Sequence, residues 1–157
     1  MKNLSLVFLI IFSFLVSGCG FKVLDNSKIN NFSIKNISSS GEKRLNYKIK
    51  NYLLTNTKNS SQNNLILDLT TKKKKNIKEK NIKNEITKYS IEINTTVNFD
   101  VIENNINKTL NVSAKGDYLV GNNYSTTLAN EKKIIENIIE EIADKIIEKI
   151  GTILNDI

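Results

Sequence analysis

The sequence predicts an α+β two-layer sandwich, a sheet of about four strands with two helices packed on one face, in the order β-α-β-β-β-α. Three observations carry this expectation. Between 88 and 101, Tyr89, Ile91, Ile93, Thr95, Val97, Phe99 and Val101 take every odd position, and Lys88, Ser90, Glu92, Asn94, Thr96, Asn98 and Asp100 every even one. That period of two specifies a strand with one buried face and one wet face. Next, Ile106, Leu110, Val112, Ala114 and Tyr118 share one face of a following strand after an Asn104-Asn105 turn, so the two strands read as an antiparallel hairpin. Finally, the period changes near the end of the chain. Ile134, Ile135, Ile138, Ile139, Ile142, Ala143, Ile146, Ile147 and Ile150 form pairs repeating at helical spacing, with Glu and Lys between them.

The chain begins with Lys2, then an apolar run over 4–16 broken only by Ser5 and Ser13, then Ser17 and Gly18. This is the layout of a secretory signal peptide, and it is shorter than the ~20 apolar residues that span a bilayer. Val16-Ser17-Gly18-Cys19 looks like a bacterial lipobox, in which a diacylglycerol is attached to the thiol and the peptide is cut before the cysteine. Cys19 is therefore the expected lipidation site, with 1–18 removed and 19–30 serving as a lipidated N-terminus and tether. Two or more acyl chains anchor a protein stably where one is marginal. Gly20, not aspartate, follows the modified residue, which favours sorting to the periplasmic side of the outer membrane.

The remaining 139 residues suffice for one domain over 31–157. Phe32, Ile34 and Ile37 suggest a first strand closed by Ser38-Ser39-Ser40-Gly41. A helix over 42–56 follows, since Leu45, Ile49, Tyr52 and Leu53 fall at i, i+4, i+7 and i+8. After a polar connector over 58–64, Leu65, Leu67 and Leu69 open a second strand. The last helix is expected at roughly 130–150, with an extension past Gly151 to Leu154. Isoleucine has only moderate helix propensity, so packing across the sheet supplies most of its stability.

Composition excludes more than it assigns. The chain has no His, no Trp, no Pro and one Cys, so the common zinc sites and the Ser-His or Cys-His pairs cannot be built. No enzyme and no cofactor beyond the covalent lipid are expected. The mature chain carries 22 basic against 16 acidic side chains, and Ile, Lys and Asn abundance is the usual mark of an AT-rich genome. The charge is concentrated in Lys72-Lys73-Lys74-Lys75, followed by Lys78, Lys80 and Lys83, between the second and third strands; if those strands pair, the cluster occupies a hairpin end and the adjoining strand segments. Two readings stand. The cluster is a cationic surface for phosphates or acidic groups, or it is a solvated loop that keeps a sheet edge from aggregating. Nucleic acid is excluded as a partner by the secretory leader.

The lipobox followed by Cys19-Gly20-Phe21, the size of the mature chain and the element order resemble the LPS-assembly lipoprotein family (LptE). Tyr118, Tyr124-Ser125, Ala129-Asn130-Glu131 and Ile142-Ala143-Asp144-Lys145-Ile146 are similar to its alphaproteobacterial members. The resemblance implies a non-catalytic outer-membrane lipoprotein that plugs the LPS-inserting β-barrel, helps it fold, and helps deliver lipopolysaccharide to the outer leaflet. Its partners would be that barrel and lipopolysaccharide, with Lys72, Lys73, Lys74, Lys75, Lys78 and Lys80 as candidate phosphate-binding groups. The alternative is a stand-alone lipid-binding or structural lipoprotein of the envelope.

Overall fold

The computed structural model describes residues 31–57, 61 and 63–156, so Cys19, the leader and the tether lie outside the described residues. Six elements follow in the expected order: β1 (Phe32–Gly41), α1 (Lys43–Asn56), β2 (Asn63–Lys80), β3 (Ile86–Val101), β4 (Ile106–Leu119) and α2 (Tyr124–Asn155). The strands lie side by side in chain order, β1-β2-β3-β4, which puts the first strand at an edge. β2, β3 and β4 form an antiparallel meander. β1 instead runs parallel to β2, because α1 carries the chain back between them. The sheet is therefore mixed.

The alternation in β3 behaves as its sequence requires. Ile91, Ile93, Thr95, Val97, Phe99 and Val101 are buried, and their even-numbered neighbours from Glu92 to Asp100 stay at least partly wet. Leu65, Leu67 and Leu69 of β2 and Leu110, Val112, Ala114 and Tyr118 of β4 join the same buried face. Leu45, Ile49 and Leu53 of α1 and the isoleucine stripe of α2 close over it. The other face of the sheet carries a polar ladder. Thr96 Oγ1 donates to Asn111 Oδ1 at 2.8 Å and Thr109 Oγ1 to Asn98 Oδ1 at 2.8 Å, and Ser40 and Thr70 pair their hydroxyls at 2.8 Å.

Two expected boundaries move. α2 begins at Tyr124, about three turns before the isoleucine pattern does. Tyr124–Asn130 has no apolar stripe, so periodicity could not reveal it. The start is set by Asn123, whose Oδ1 accepts from the backbone N–H of Thr126 at 2.8 Å. The helix ends at Asn155 and includes Gly151, as the expected extension required. Among the described residues, no helix is long and apolar enough to cross a membrane.

The lysines lie in strand segments next to a hairpin end, as pairing of the second and third strands requires, and not in the solvated loop of the competing reading. β2 runs without interruption through Lys72–Lys80, paired with β3 as far as Ile86, and the turn falls only at Asn81–Glu85. There Asn81 Oδ1 accepts from the N–H groups of Lys83 and Glu85 at 2.9 and 3.0 Å, and Asn84 takes the left-handed conformation that such a turn needs. Poor intrinsic strand propensity at four consecutive lysines is overridden by the ladder to β3.

Candidate functional site

β2 outruns its neighbour. Pairing with β1 ends at Gly41 opposite Thr71, while β2 continues through Lys80 beside β3 alone. Alternation distributes the lysines over both faces. Thr71 is buried against Thr95 on the helix side, their hydroxyls 3.1 Å apart, so Lys73 and Lys75 share that face and Lys72 and Lys74 share the open one. Lys72, Lys73 and Lys74 have no carboxylate within ion-pair distance among the described residues. Lys78 is paired with Asp117 of β4, and Lys80 donates to Asn84 Oδ1 at 2.9 Å. The six candidate lysines thus divide into three with uncommitted ammonium groups and three already held.

Lys75 is held most closely. Its Nζ lies 2.7 Å from Glu131 Oε2 on α2, 4.4 Å from the centre of the Tyr89 ring and 5.3 Å from that of Tyr118. The two rings stack at 5.5 Å across the β3–β4 ladder, and Tyr118 donates its hydroxyl to Glu131 Oε2 at 2.8 Å. A cation over two rings and a shared carboxylate joins β2, β3, β4 and α2 at one point. Sequence reading placed Tyr89 and Tyr118 on the inward faces of their strands but did not bring them to Lys75. The available signal was their place opposite one another at the end of the hairpin.

Electrostatics within this cluster are mutually reinforcing. Burial pulls the Lys75 ammonium down, but its hydrogen bonds to Glu131 and Tyr118 outweigh that and raise its pKa. Burial pushes the Glu131 carboxyl up, and the bonds from Lys75 and Tyr118 bring it below the ordinary glutamate value. Burial raises the Tyr118 hydroxyl, which stays protonated and donating. A carboxylate depressed by folding stabilises the native state above its unfolded value and ceases to do so as pH falls through the depressed one. Glu131→Gln should therefore flatten part of the loss of stability below about pH 4.5. Lys75 is over a third exposed, so the difference should stay below about 1 kcal/mol. Urea midpoints of both proteins at pH 7 and pH 3.5 measure it; an identical pH dependence would deny the cluster any ionic role.

An apolar rim adjoins the lysines. Ile77, Ile82, Leu119, Val120, Tyr124 and Leu128 are all exposed, Ile82 fully and Tyr124 at 82%. Lys75, Tyr89, Val120, Gly121, Tyr124 and Leu128 help line an open groove of about 530 Å³ there. Charge and grease side by side suit an amphipathic or acidic partner better than a small polar substrate. Among the described residues no group of three or more His, Cys, Asp or Glu side chains could hold a metal ion.

These features belong to a two-layer α+β module with a cationic strand end and an apolar rim. Its family is established by comparison. Residues 28–150 match the family model described as LptE: Lipopolysaccharide-assembly, and the chain belongs to that family of non-enzymatic assembly lipoproteins of the Gram-negative envelope. Solved structures share the fold. The rare lipoprotein B of Shewanella oneidensis is 11% identical with a TM-score of 0.59, over 77% of this chain and 97% of that one. Lipoprotein B of Nitrosomonas europaea is 8% identical with a TM-score of 0.58, over 87% and 94%. The minor lipoprotein of Acinetobacter baumannii is 13% identical with a TM-score of 0.53, over 79% and 94%. No curated protein sequence matches this chain significantly.

Proposed function

We propose that this protein is a lipid-anchored plug and assembly partner of the outer-membrane β-barrel that inserts lipopolysaccharide, with Lys72, Lys73 and Lys74 offering a cationic surface to lipid phosphates. In this reading residues 1–18 are removed, Cys19 carries the lipid, and 19–30 tether the single domain to the periplasmic side of the outer membrane. The observation that carries it is membership of the lipopolysaccharide-assembly family over most of the mature chain. Two features of the fold support it. The ammonium groups of Lys72, Lys73 and Lys74 project from both faces of an ordered strand, where three clustered positive charges raise the local potential more persistently than a fluctuating loop would. The open, Asn- and Thr-rich face of the sheet, which Lys72 and Lys74 share, is suited to the polar interior wall of a barrel.

Affinity purification of the native lipoprotein from detergent-solubilised membranes tests the reading directly. A stable complex with a large β-barrel is the expected result. Copurified lipid without a barrel would favour a stand-alone lipid-binding protein, and neither would leave a structural envelope role. The phosphate surface has its own test. Changing Lys72, Lys73 and Lys74 to Ser spares the Lys75–Glu131 contact and should weaken lipopolysaccharide binding about tenfold at low ionic strength, with the difference shrinking as salt screens the charges. Lysine is a point charge without arginine's bidentate fork, so a strong salt dependence is the signature to look for. Unchanged binding at low salt would remove these lysines from the lipid site.

A further inference from the structure

We infer that the free backbone edge of Lys73–Ile77 is a docking site for an extended, acidic segment of a partner protein, which adds to the sheet beyond the end of β1. The inference concerns main-chain groups and does not depend on whether the lysine side chains bind lipopolysaccharide.

Side chains cover several carbonyls on the two outer edges of the sheet. Along β4, Lys149 Nζ donates to the carbonyl of Asn111 at 3.0 Å, Lys145 Nζ to that of Ser113 at 3.1 Å and Asn130 Nδ2 to that of Leu119 at 3.0 Å, all reaching down from α2. On β1, Lys50 of α1 donates to the carbonyl of Ile37 at 3.1 Å. These long side chains occupy acceptors that would otherwise template another strand. Beyond Thr71, β2 has no such cover among the described residues. The backbone N–H of Glu42 donates to the Thr71 carbonyl at 3.2 Å, the last bond on that side. That bond also sets the direction of the groups that follow. In a strand, successive residues point their N–H and C=O to alternate sides. Since Thr71 faces β1, Lys73, Lys75 and Ile77 face the same way, into space that β1 has left, while Lys72 and Lys74 bond to β3. Among the described residues nothing bonds to the outward groups of Lys73, Lys75 and Ile77.

Charge selects the occupant. A second copy pairing through this edge would set lysine against lysine, which is destabilising in direct cross-strand positions. An apolar aggregating strand is repelled by the same ammonium groups. A strand with carboxylates at alternate positions gains on both counts: main-chain bonds to the open edge and ion pairs with Lys72 and Lys74 on one face or Lys73 on the other. Main-chain bonding supplies affinity and side-chain charge supplies specificity, as in other strand-addition sites. The segment would continue the line of β1, on the same side of β2.

The test uses the full chain in uncharged detergent and a synthetic peptide, acetyl-Glu-Thr-Glu-Val-Glu-Thr-Glu-amide, at low salt. Amide exchange at Lys73, Lys75 and Ile77 should slow at least about tenfold on saturation, while Lys72 and Lys74, already bonded to β3, should not change. Two further peptides keep every charge but carry N-methyl groups on one or the other alternate set of residues. One of them should lose at least about tenfold in affinity and the other should bind like the parent. Absence of binding, equal binding by all three peptides, or protection spread evenly across 72–77 would overturn the inference. Equal binding would mean charge attraction alone, and none of these results bears on the lipopolysaccharide measurement above.

Discussion

Ile142→Asp is expected to abolish the cooperative fold. Ile142 is completely buried at the middle of α2, in the cluster that joins the helix to α1 and the sheet. A carboxylate there would sit within the apolar cluster, so it must either desolvate its charge or take a proton to become neutral. Either route costs several kcal/mol, on the order of 4 or more with the loss of isoleucine packing included. That is most of the stability of a domain this size. Circular dichroism should show a broad or absent melting transition, and amide proton signals should collapse toward random-coil positions. Glu141→Asp, one residue away on the exposed side of the same helix, should melt within about 0.5 kcal/mol of the parent. A sharp, near-native transition for Ile142→Asp would mean that α2 is not the lid of this core.

Gly41→Val should be the second most damaging single change among those the structure explains. Gly41 ends β1 with φ of +87°, a backbone conformation that β-branched residues essentially do not adopt. A Cβ there would also lie 2.4 Å from the carbonyl oxygen of Thr71, and that atom belongs to the backbone of the central strand. The chain must turn at this point because Glu42 donates to the same carbonyl and α1 starts at Lys43. Conformational strain and overlap together should cost about 3 kcal/mol, lowering Tm by about 10 °C. Gly116→Ala is the informative contrast. The atoms nearest its Cβ would belong to the Ile134 and Ile138 side chains and not to backbone, and its φ is not in the left-handed region, so the loss should be smaller. Equal losses at both positions would show that crowding, and not the backbone conformation at Gly41, dominates.

Local chemistry made several parts of this protein readable in advance. The odd-numbered residues of β3 face inward because a pleated strand leaves them no alternative once every second residue is apolar. The isoleucine pairs of α2 could form only an amphipathic helix, and Leu45, Ile49 and Leu53 aligned α1 by the same rule. Asn104-Asn105 marked a turn, and Asn105 indeed takes positive φ. The family resemblance also rested on local signals, and the match over residues 28–150 agrees with it. Asn123 was less accessible to such reasoning: a cap acts through one hydrogen bond and leaves no periodic trace.

The lysine run and its surroundings were decided by long-range contacts. Nothing within Lys72–Lys75 favours a strand; β3, whose own alternation is unambiguous, imposes extended structure on whatever lies beside it. Likewise Lys75, Tyr89, Tyr118 and Glu131 are separated by up to 56 positions, and no spacing rule connects them. They meet because β2 continues past β1, the hairpin returns beside it, and α2 begins early enough to bring Glu131 over the end of the sheet. Periodicity reports which face of an element is apolar, since that depends on neighbours a few residues away. Strand length, parallel or antiparallel pairing, and which edges stay open depend on packing between distant segments. Those choices separate three uncommitted lysines from three held ones and, among the described residues, leave Lys73–Ile77 with no strand on the β1 side.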